Sequence, residues 1–327
     1  MHSPQLWSPH LSRANAPFMN GPRSSEMQGV PTLAAGYGFA TTGPYLVIDD
    51  LHPGITSRRR LPVRDAPLTL TASDARRCSG YFDLLTYDNV PCPEQSPIGP
   101  DVDSCYKCFR RTGFNPSFYH MPLDGISEQQ RAYNEREHVV YLAYFAEGWV
   151  KVGISSRDRV LVRLRGQGAR LATLLAAVPD AYEARALEER VVKDAAIPEV
   201  LRASRKRNLV NEPFDPARAE RTLLELRQRV EEVCAVRPLP FAVHDFTADY
   251  LGTHTLDLPV TDLSDEKPLS ISGTGVGLIG DVLIVEESGR QFMISVKDLV
   301  GRIVTIESAV RRNAKKPASG QLGFGFG

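Results

Sequence analysis

No unbroken apolar run approaches the ~18 residues that a membrane-spanning helix needs. The first residues, MHSPQLWSPHLSRANAPF, lack the apolar core of a secretory leader and are interrupted by prolines. A cytoplasmic location is therefore expected. Excess charge is missing as well. The 39 Lys and Arg balance 39 Asp and Glu, so the whole-chain charge gives no hint of a polyanionic partner. Cysteine is scarce, with five in 327 residues, and a cytoplasmic setting disfavours disulfides. The glycine-rich Gly273-Thr274-Gly275-Val276-Gly277 is followed by neither Gly-Lys-Ser/Thr nor a helix. That argues against a phosphate loop and leaves a strand turn. What is present is ordinary for a globular protein, 42% hydrophobic and 24% charged, long enough for two or three domains.

Residues 1–35 are rich in Pro, Ser, Gly and Asn without periodicity and are expected to be disordered. Tyr45-Leu46-Val47-Ile48 is the first strand-like run. Arg58-Arg59-Arg60 reads as an exposed basic loop, with phosphate contact the alternative. Cys78, Cys92, Cys105 and Cys108 lie close in sequence, the last two as a CxxC knuckle. Four thiolates are what structural Zn²⁺ takes, and a site closed by four ligands leaves no open position for chemistry. Residues 36–120 are accordingly read as a β and four-cysteine zinc-binding segment. Redox-active or free thiols are the alternative, although no βαβ pattern surrounds the knuckle, and the second CxxC of a full zinc ribbon is missing. His120 reads as an ordinary surface residue, with replacement of one cysteine as ligand the alternative.

Ser127-Glu128-Gln129-Gln130 opens a short polar helix. In 138–194, VVYLAYF (139–145) and WVKVGIS (149–155) are strand-like and joined by a link short enough for a hairpin. A basic, Leu/Val-rich segment follows, then the helix formers EARALEERVVKD (183–194). Residues 151–213 hold 13 Lys and Arg against 8 Asp and Glu, a local net charge of +5 that suits a phosphate backbone or a solvated helical surface. Arg205-Lys206-Arg207 extends it. Asp215-Pro216 reads as an N-cap with proline at the first helical position, followed by an amphipathic helix whose buried stripe is Leu223, Leu226, Val230, Val233 and Cys234. Cys234 is then a packed thiol.

From 241 to 308, THTLDLPV, PLSIS, GLIGDVLIVEE, RQFMISV and RIVTIES read as short strands, with a hairpin turn at Ser288-Gly289, and suggest a small β-barrel-like domain. Residues 309–327 are expected to be a basic flexible tail, ending in Gln321-Leu322-Gly323-Phe324-Gly325-Phe326. It resembles the short peptide with which bacterial replication and repair proteins dock on the sliding clamp, where an amide and apolar anchors enter a pocket. The alternative is a tail packed on its own domain.

The order hairpin, helix, helix resembles the GIY-YIG nuclease superfamily. Val139-Val140-Tyr141 matches its first motif and Lys151-Val152-Gly153 its second. The family arginine falls on Arg163, and the metal-binding glutamate falls on Glu188 of Leu187-Glu188. A closer resemblance covers residues 70 to 308. KVGIS, the Arg-x-Arg-Gly-Gln-Gly-Ala run at 163–169 and the later Ala-x-x-Leu-Glu are similar to a bacterial family, domain of unknown function 2797, which also carries upstream cysteines and a downstream β segment. The resemblance implies an α+β fold, a GIY-YIG-like small antiparallel sheet with flanking helices over 138–236.

It also implies a chemistry. Glu188 would hold a catalytic Mg²⁺ or Mn²⁺ as Lewis acid, and Arg163 would stabilise charge on the phosphoryl group. Tyr141 would orient or deprotonate the attacking water. Lys151 stands where the second motif tyrosine is expected, as a base of lowered pKa or a phosphate contact. The expected activity is a metal-dependent nucleic-acid endonuclease in DNA repair or maintenance. The alternative is an inactive nucleic-acid-binding adaptor on the same scaffold. DNA is favoured over RNA by the tail alone.

Overall fold

The computed structural model describes residues 32–306, apart from 53–54, 101, 116 and 235–237. The described part opens with strands β1 (Thr32–Ala40), β2 (Gly43–His52), β3 (Ile55–Pro62) and β4 (Pro67–Arg76). A cysteine-bearing stretch follows, with the short hairpin β5 (Tyr81–Phe82) and β6 (Asn89–Val90), then α1 (Tyr106–Thr112) and α2 (Glu128–Asn134). The central unit holds β7 (His138–Ala146), β8 (Trp149–Ser156), α3 (Val160–Gln167), β9 (Leu171–Val178), α4 (Ala181–Asp194), α5 (Ala203–Asn208), α6 (Pro216–Cys234) and β10 (Val243–Asp245). The chain closes with α7 (Thr247–Leu251), β11 (Thr261–Asp262), β12 (Ser270–Ile279), β13 (Val282–Glu287), β14 (Arg290–Ser295), α8 (Val296–Leu299) and β15 (Arg302–Ile306).

These elements build a mixed α+β molecule around two main sheets. One is small and antiparallel, in the order β10-β9-β7-β8. The other is open and nine-stranded, in the order β11-β14-β13-β12-β4-β15-β1-β2-β3. The expected C-terminal barrel is therefore corrected. Its strands do not close on themselves but continue into the N-terminal strands, with β4 inserted between β12 and β15. Residues 32–35, expected to be disordered, begin β1 and pair with both β15 and β2. THTLDLPV (253–260) is not a strand; the short strand Thr261–Asp262 follows it. Gly273–Gly277 lies inside β12, where a register shift between Gly275 and Gly277 marks a bulge. The Ser288-Gly289 turn is present, with positive φ at both residues as a two-residue hairpin requires. Arg58 and Arg59 are strand residues rather than loop, ion-paired with Asp49 and Asp50 of the neighbouring strand.

The central hairpin and caps form for the reasons their residues give. Ser127 Oγ accepts from Gln130 N at 3.1 Å, and Asp215 Oδ1 accepts from Ala217 N and Arg218 N at 3.0 and 3.2 Å. The buried stripe of α6 is Ala219, Leu223, Arg227, Val230 and Cys234, while Val233 is exposed. The run LATLLAAV, continuous rather than alternating, is the strand β9, so the order is hairpin, helix, strand, helix. Every residue of β7 is buried because both faces are covered. Val140, Leu142 and Tyr144 pack with α4 and α6, whereas Val139, Tyr141, Ala143 and Phe145 face α3 and the nine-stranded sheet.

The two bodies meet at a glycine pair. Gly168 ends α3 and Gly280 turns between β12 and β13, both with positive φ. A Cβ on Gly280 would stand 2.7 Å from Gly168 N, so backbone packs directly on backbone there. Tyr37 Oη donates to Gly166 O at 3.0 Å and Tyr250 Oη to Ala169 O at 2.7 Å, clamping the same turn from the sheet side.

Candidate functional site

Register brings the first two predicted residues together. Tyr141 lies opposite Gly153 and Ala143 opposite Lys151, and directly paired residues share a face. A Cβ at Gly153 would lie 2.5 Å from Tyr141 Oη, so the glycine after Lys151-Val152 is what lets the Tyr141 ring lie across β8. From above, Arg163 and Gln167, one turn apart on α3, both donate to Tyr141 Oη, Nε at 3.3 Å and Nε2 at 3.0 Å. Tyr141 is wholly buried beneath them and Arg163 is exposed.

Glu188 arrives from the other side of the sheet. Asp180 caps α4 through Tyr182 N and Glu183 N, both at 2.8 Å. Glu188, eight residues on, is buried beside the edge strand β8. Its Oε2 accepts from Arg185 Nη1 at 2.6 Å, and the same nitrogen donates to Glu199 Oε2. The Arg185 guanidinium also lies over the Tyr119 ring, 4.6 Å from its centroid. Lys151 Nζ donates to Glu199 O at 3.4 Å. Burial raises the Glu188 carboxyl above its usual range, with Arg185 opposing the rise. Burial, and then the Arg163 charge, lower the Lys151 ammonium to about 8, against the pull of Glu188 and Glu199.

The basic triplet 205–207 divides in the structure. Arg205 stacks over Trp149 and Arg207 is ion-paired with Asp262 at 2.6 Å. Lys206 turns inward, donating to Gln167 O at 3.2 Å and lying over the Phe145 ring. Burial, then Lys151 and Lys297, lower its ammonium to about 7, with Arg163 adding to the fall. Lys151, Arg163 and Lys206 thus form a cluster of cations within electrostatic reach of one another. An anion entering there would find charge that the protein leaves under-compensated.

Gln167, Arg185 and Glu199 are members that the sequence did not single out, and Lys206 was read there only as part of a basic triplet. Gln167 carried a signal, since it stands inside the Arg-Gly-Gln-Gly-Ala run one turn after Arg163. Glu199 lies in a loop with no pattern around it. The two carboxylates that converge on one Arg185 nitrogen are also a donor set that a divalent cation takes, one or two carboxylates with water and phosphate completing the shell. That fit requires Arg185 to withdraw.

The four cysteines form a second centre. Their sulfurs all lie within 4.8 Å of one another, and none is in a disulfide. Four thiolates at ~2.3 Å from zinc lie ~3.8 Å apart, so the cluster could hold such an ion with small adjustments. Cys78 precedes the β5–β6 hairpin, Cys92 follows it, and Cys105 and Cys108 sit at the start of α1. Burial pushes the Cys78 thiol up, and backbone N–H groups of Cys105 and Gly80, donating to its Sγ at 3.1 and 3.4 Å, oppose that rise in favour of the thiolate that a metal needs. His120 is not in the cluster. This segment rests against the start of α3. Tyr87 Oη meets Ser156 Oγ at 3.3 Å and Asp158 Oδ1 at 3.1 Å, and Arg159 lies over the Phe82 and Tyr87 rings.

Gln321, Leu322, Phe324 and Phe326 lie outside the described residues. No helix among the described residues is long and apolar enough to cross a membrane. A family model described as a protein of unknown function, DUF2797, matches residues 67–304. No curated protein and no solved structure matches the chain.

Proposed function

We propose, from the premise that the chain belongs to the DUF2797 family, that its central cluster binds a nucleic-acid phosphate and hydrolyses the phosphodiester as a metal-dependent endonuclease. The observation that carries this reading is a convergence. Arg163, Lys151 and Lys206 place positive charge around one spot, with the buried Glu188 and its partly exposed neighbours Arg185 and Glu199 beside Lys151. The resemblance to GIY-YIG nucleases supports the same assignment of Arg163 and Glu188.

Arg163, exposed and held by Tyr141, takes the phosphoryl oxygens and stabilises the charge that builds on them. Tyr141 is sealed beneath Arg163 and Gln167, so its part is to position the guanidinium rather than to touch substrate. Lys151, with its proton held near neutrality, is the group suited to take a proton from water. Glu188 and Glu199 would hold Mg²⁺ or Mn²⁺, which supplies a Lewis acid to the phosphoryl group when bound. The four cysteines would hold a structural Zn²⁺. The C-terminal Gln-Leu-x-Phe peptide favours DNA as the substrate and a bacterial sliding clamp as the partner.

A second reading has an observation of its own. Arg185 already neutralises Glu188, and lysine replaces the second motif tyrosine, as in a scaffold that binds phosphate without turnover. Cleavage of single-stranded, duplex, branched and RNA substrates by wild type and Glu188→Ala, with and without Mg²⁺ or Mn²⁺, separates the two. Cutting by wild type alone, with metal alone, is expected. Equal cutting by both, or salt-dependent binding without cutting by either, contradicts the enzyme.

A further inference from the structure

Helix α1 has an unusual outer surface. Its sequence Tyr106-Lys107-Cys108-Phe109-Arg110-Arg111-Thr112 carries no acid. Cys108 points inward to the thiol cluster and is buried. At 3.6 residues per turn, Tyr106, Phe109 and Arg110 fall on the side opposite Cys108. Tyr106 is 76% exposed and Phe109 64% exposed, more than any other aromatic residue described, and no described ring stacks on either. Phe114, just past the helix, is 41% exposed. Lys107 is ion-paired with Glu94, and Arg111 lies over the Tyr81 ring, 5.7 Å from its centroid, within electrostatic reach of Glu94, but Arg110 is exposed without a carboxylate partner among the described residues.

We infer that this face of α1 is a stacking platform for unpaired bases of a single-stranded nucleic acid. Two adjoining exposed aromatic rings with Phe114 beside them make the kind of apolar patch that marks a binding surface, and the exposed Arg110 next to them selects an anionic partner. A polymer that offers both a π face and a phosphate every residue meets both demands, and stacking on rings is indifferent to base identity. The base faces of a duplex are already stacked, so a protruding helix can take only unpaired ones. The thiol cluster explains the rigidity. With Cys105 as the residue before the helix and Cys108 within it, metal binding would fix the two rings at one turn's separation.

The inference rests on the proposed nucleic-acid function for its choice of polymer, but its test does not require cleavage. Full-length Glu188→Gln protein is titrated, without added divalent metal, against fluorescent 12-mers by anisotropy. The probes are single-stranded DNA, RNA of the same sequence, and an abasic strand with the same phosphates. The base-bearing strands are expected to bind about tenfold or more tightly than the abasic one. Adding Tyr106→Ala and Phe109→Ala is expected to erase that ratio while affinity for the abasic strand holds. Tyr106→Trp with Phe109→Trp should retain the ratio, which guards against loss of the helix. A ratio unchanged by the alanine pair overturns the inference, as it would if the rings seat a protein segment such as the chain's own Leu322 and Phe324. Equal wild-type affinity for base-bearing and abasic strands overturns it too. Absence of cleavage alone would sink the nuclease reading and leave the platform standing.

Discussion

Lys151 and Lys206 hold ammonium groups near neutrality, at about 8 and about 7, because both are buried and each feels other cations. The sign of the resulting pH dependence differs between stability and binding. An unfolded lysine titrates near ~10.4. Between about pH 7 and that value the unfolded chain therefore binds more protons, and folding stability rises with pH. Phosphate binding needs the protonated amines, so affinity should fall over the same interval. We expect at least about a tenfold loss of oligonucleotide affinity between pH 6 and 9, read by anisotropy at fixed ionic strength. Lys151→Arg, whose charge does not titrate there, should remove the part of the fall near pH 8 and leave the part near pH 7 that Lys206 carries. At position 153, where a Cβ would meet the Tyr141 hydroxyl, Gly153→Ala should cost about 1–3 kcal/mol in denaturant unfolding. It should also weaken phosphate binding through the displaced Arg163. The residues legible beforehand were those with a motif around them, Tyr141, Lys151, Arg163 and Glu188. Glu199 and Arg185 were not legible, because their roles come from a loop and a helix meeting at one nitrogen.

Among the elements, the hairpin β7–β8 was readable because β-branched and aromatic residues flank a Glu-Gly turn. The helix α6 was readable because its cap and stripe agree. Strand β9 was not, since LATLLAAV is buried on a sheet covered on both faces and shows no alternation. The nine-stranded sheet escaped for another reason. β4 pairs with β12 and β15 across about 200 residues of chain, and no local pattern encodes a partner so remote. The joint between the bodies makes an element-scale prediction. Gly280 has φ of 60° and its missing Cβ faces Gly168 N. Gly280→Ala should destabilise the protein by roughly 1–3 kcal/mol, whereas Gly289→Ala, with open space around its Cβ position, should cost only the strain of its positive φ.

At the scale of the molecule, three parts lean on one helix. Tyr37 of the sheet and Tyr250 of α7 clamp the end of α3, the cysteine segment clamps its start through Tyr87 against Arg159, and Tyr141 holds its Arg163 from below. Loss of a metal held by the four cysteines should therefore reach a site that no thiol touches. Purified protein is expected to carry about one zinc per chain. Cys105→Ser should lower that content and, with it, nucleic-acid affinity; full metal content in this variant would refute the site. The measurement closest to the central claim is Mg²⁺-dependent cleavage by wild type beside Glu188→Ala, with binding followed in the same samples. The account predicts that the substitution abolishes cleavage and leaves binding within a few-fold. Cleavage that survives the loss of Glu188 would contradict it.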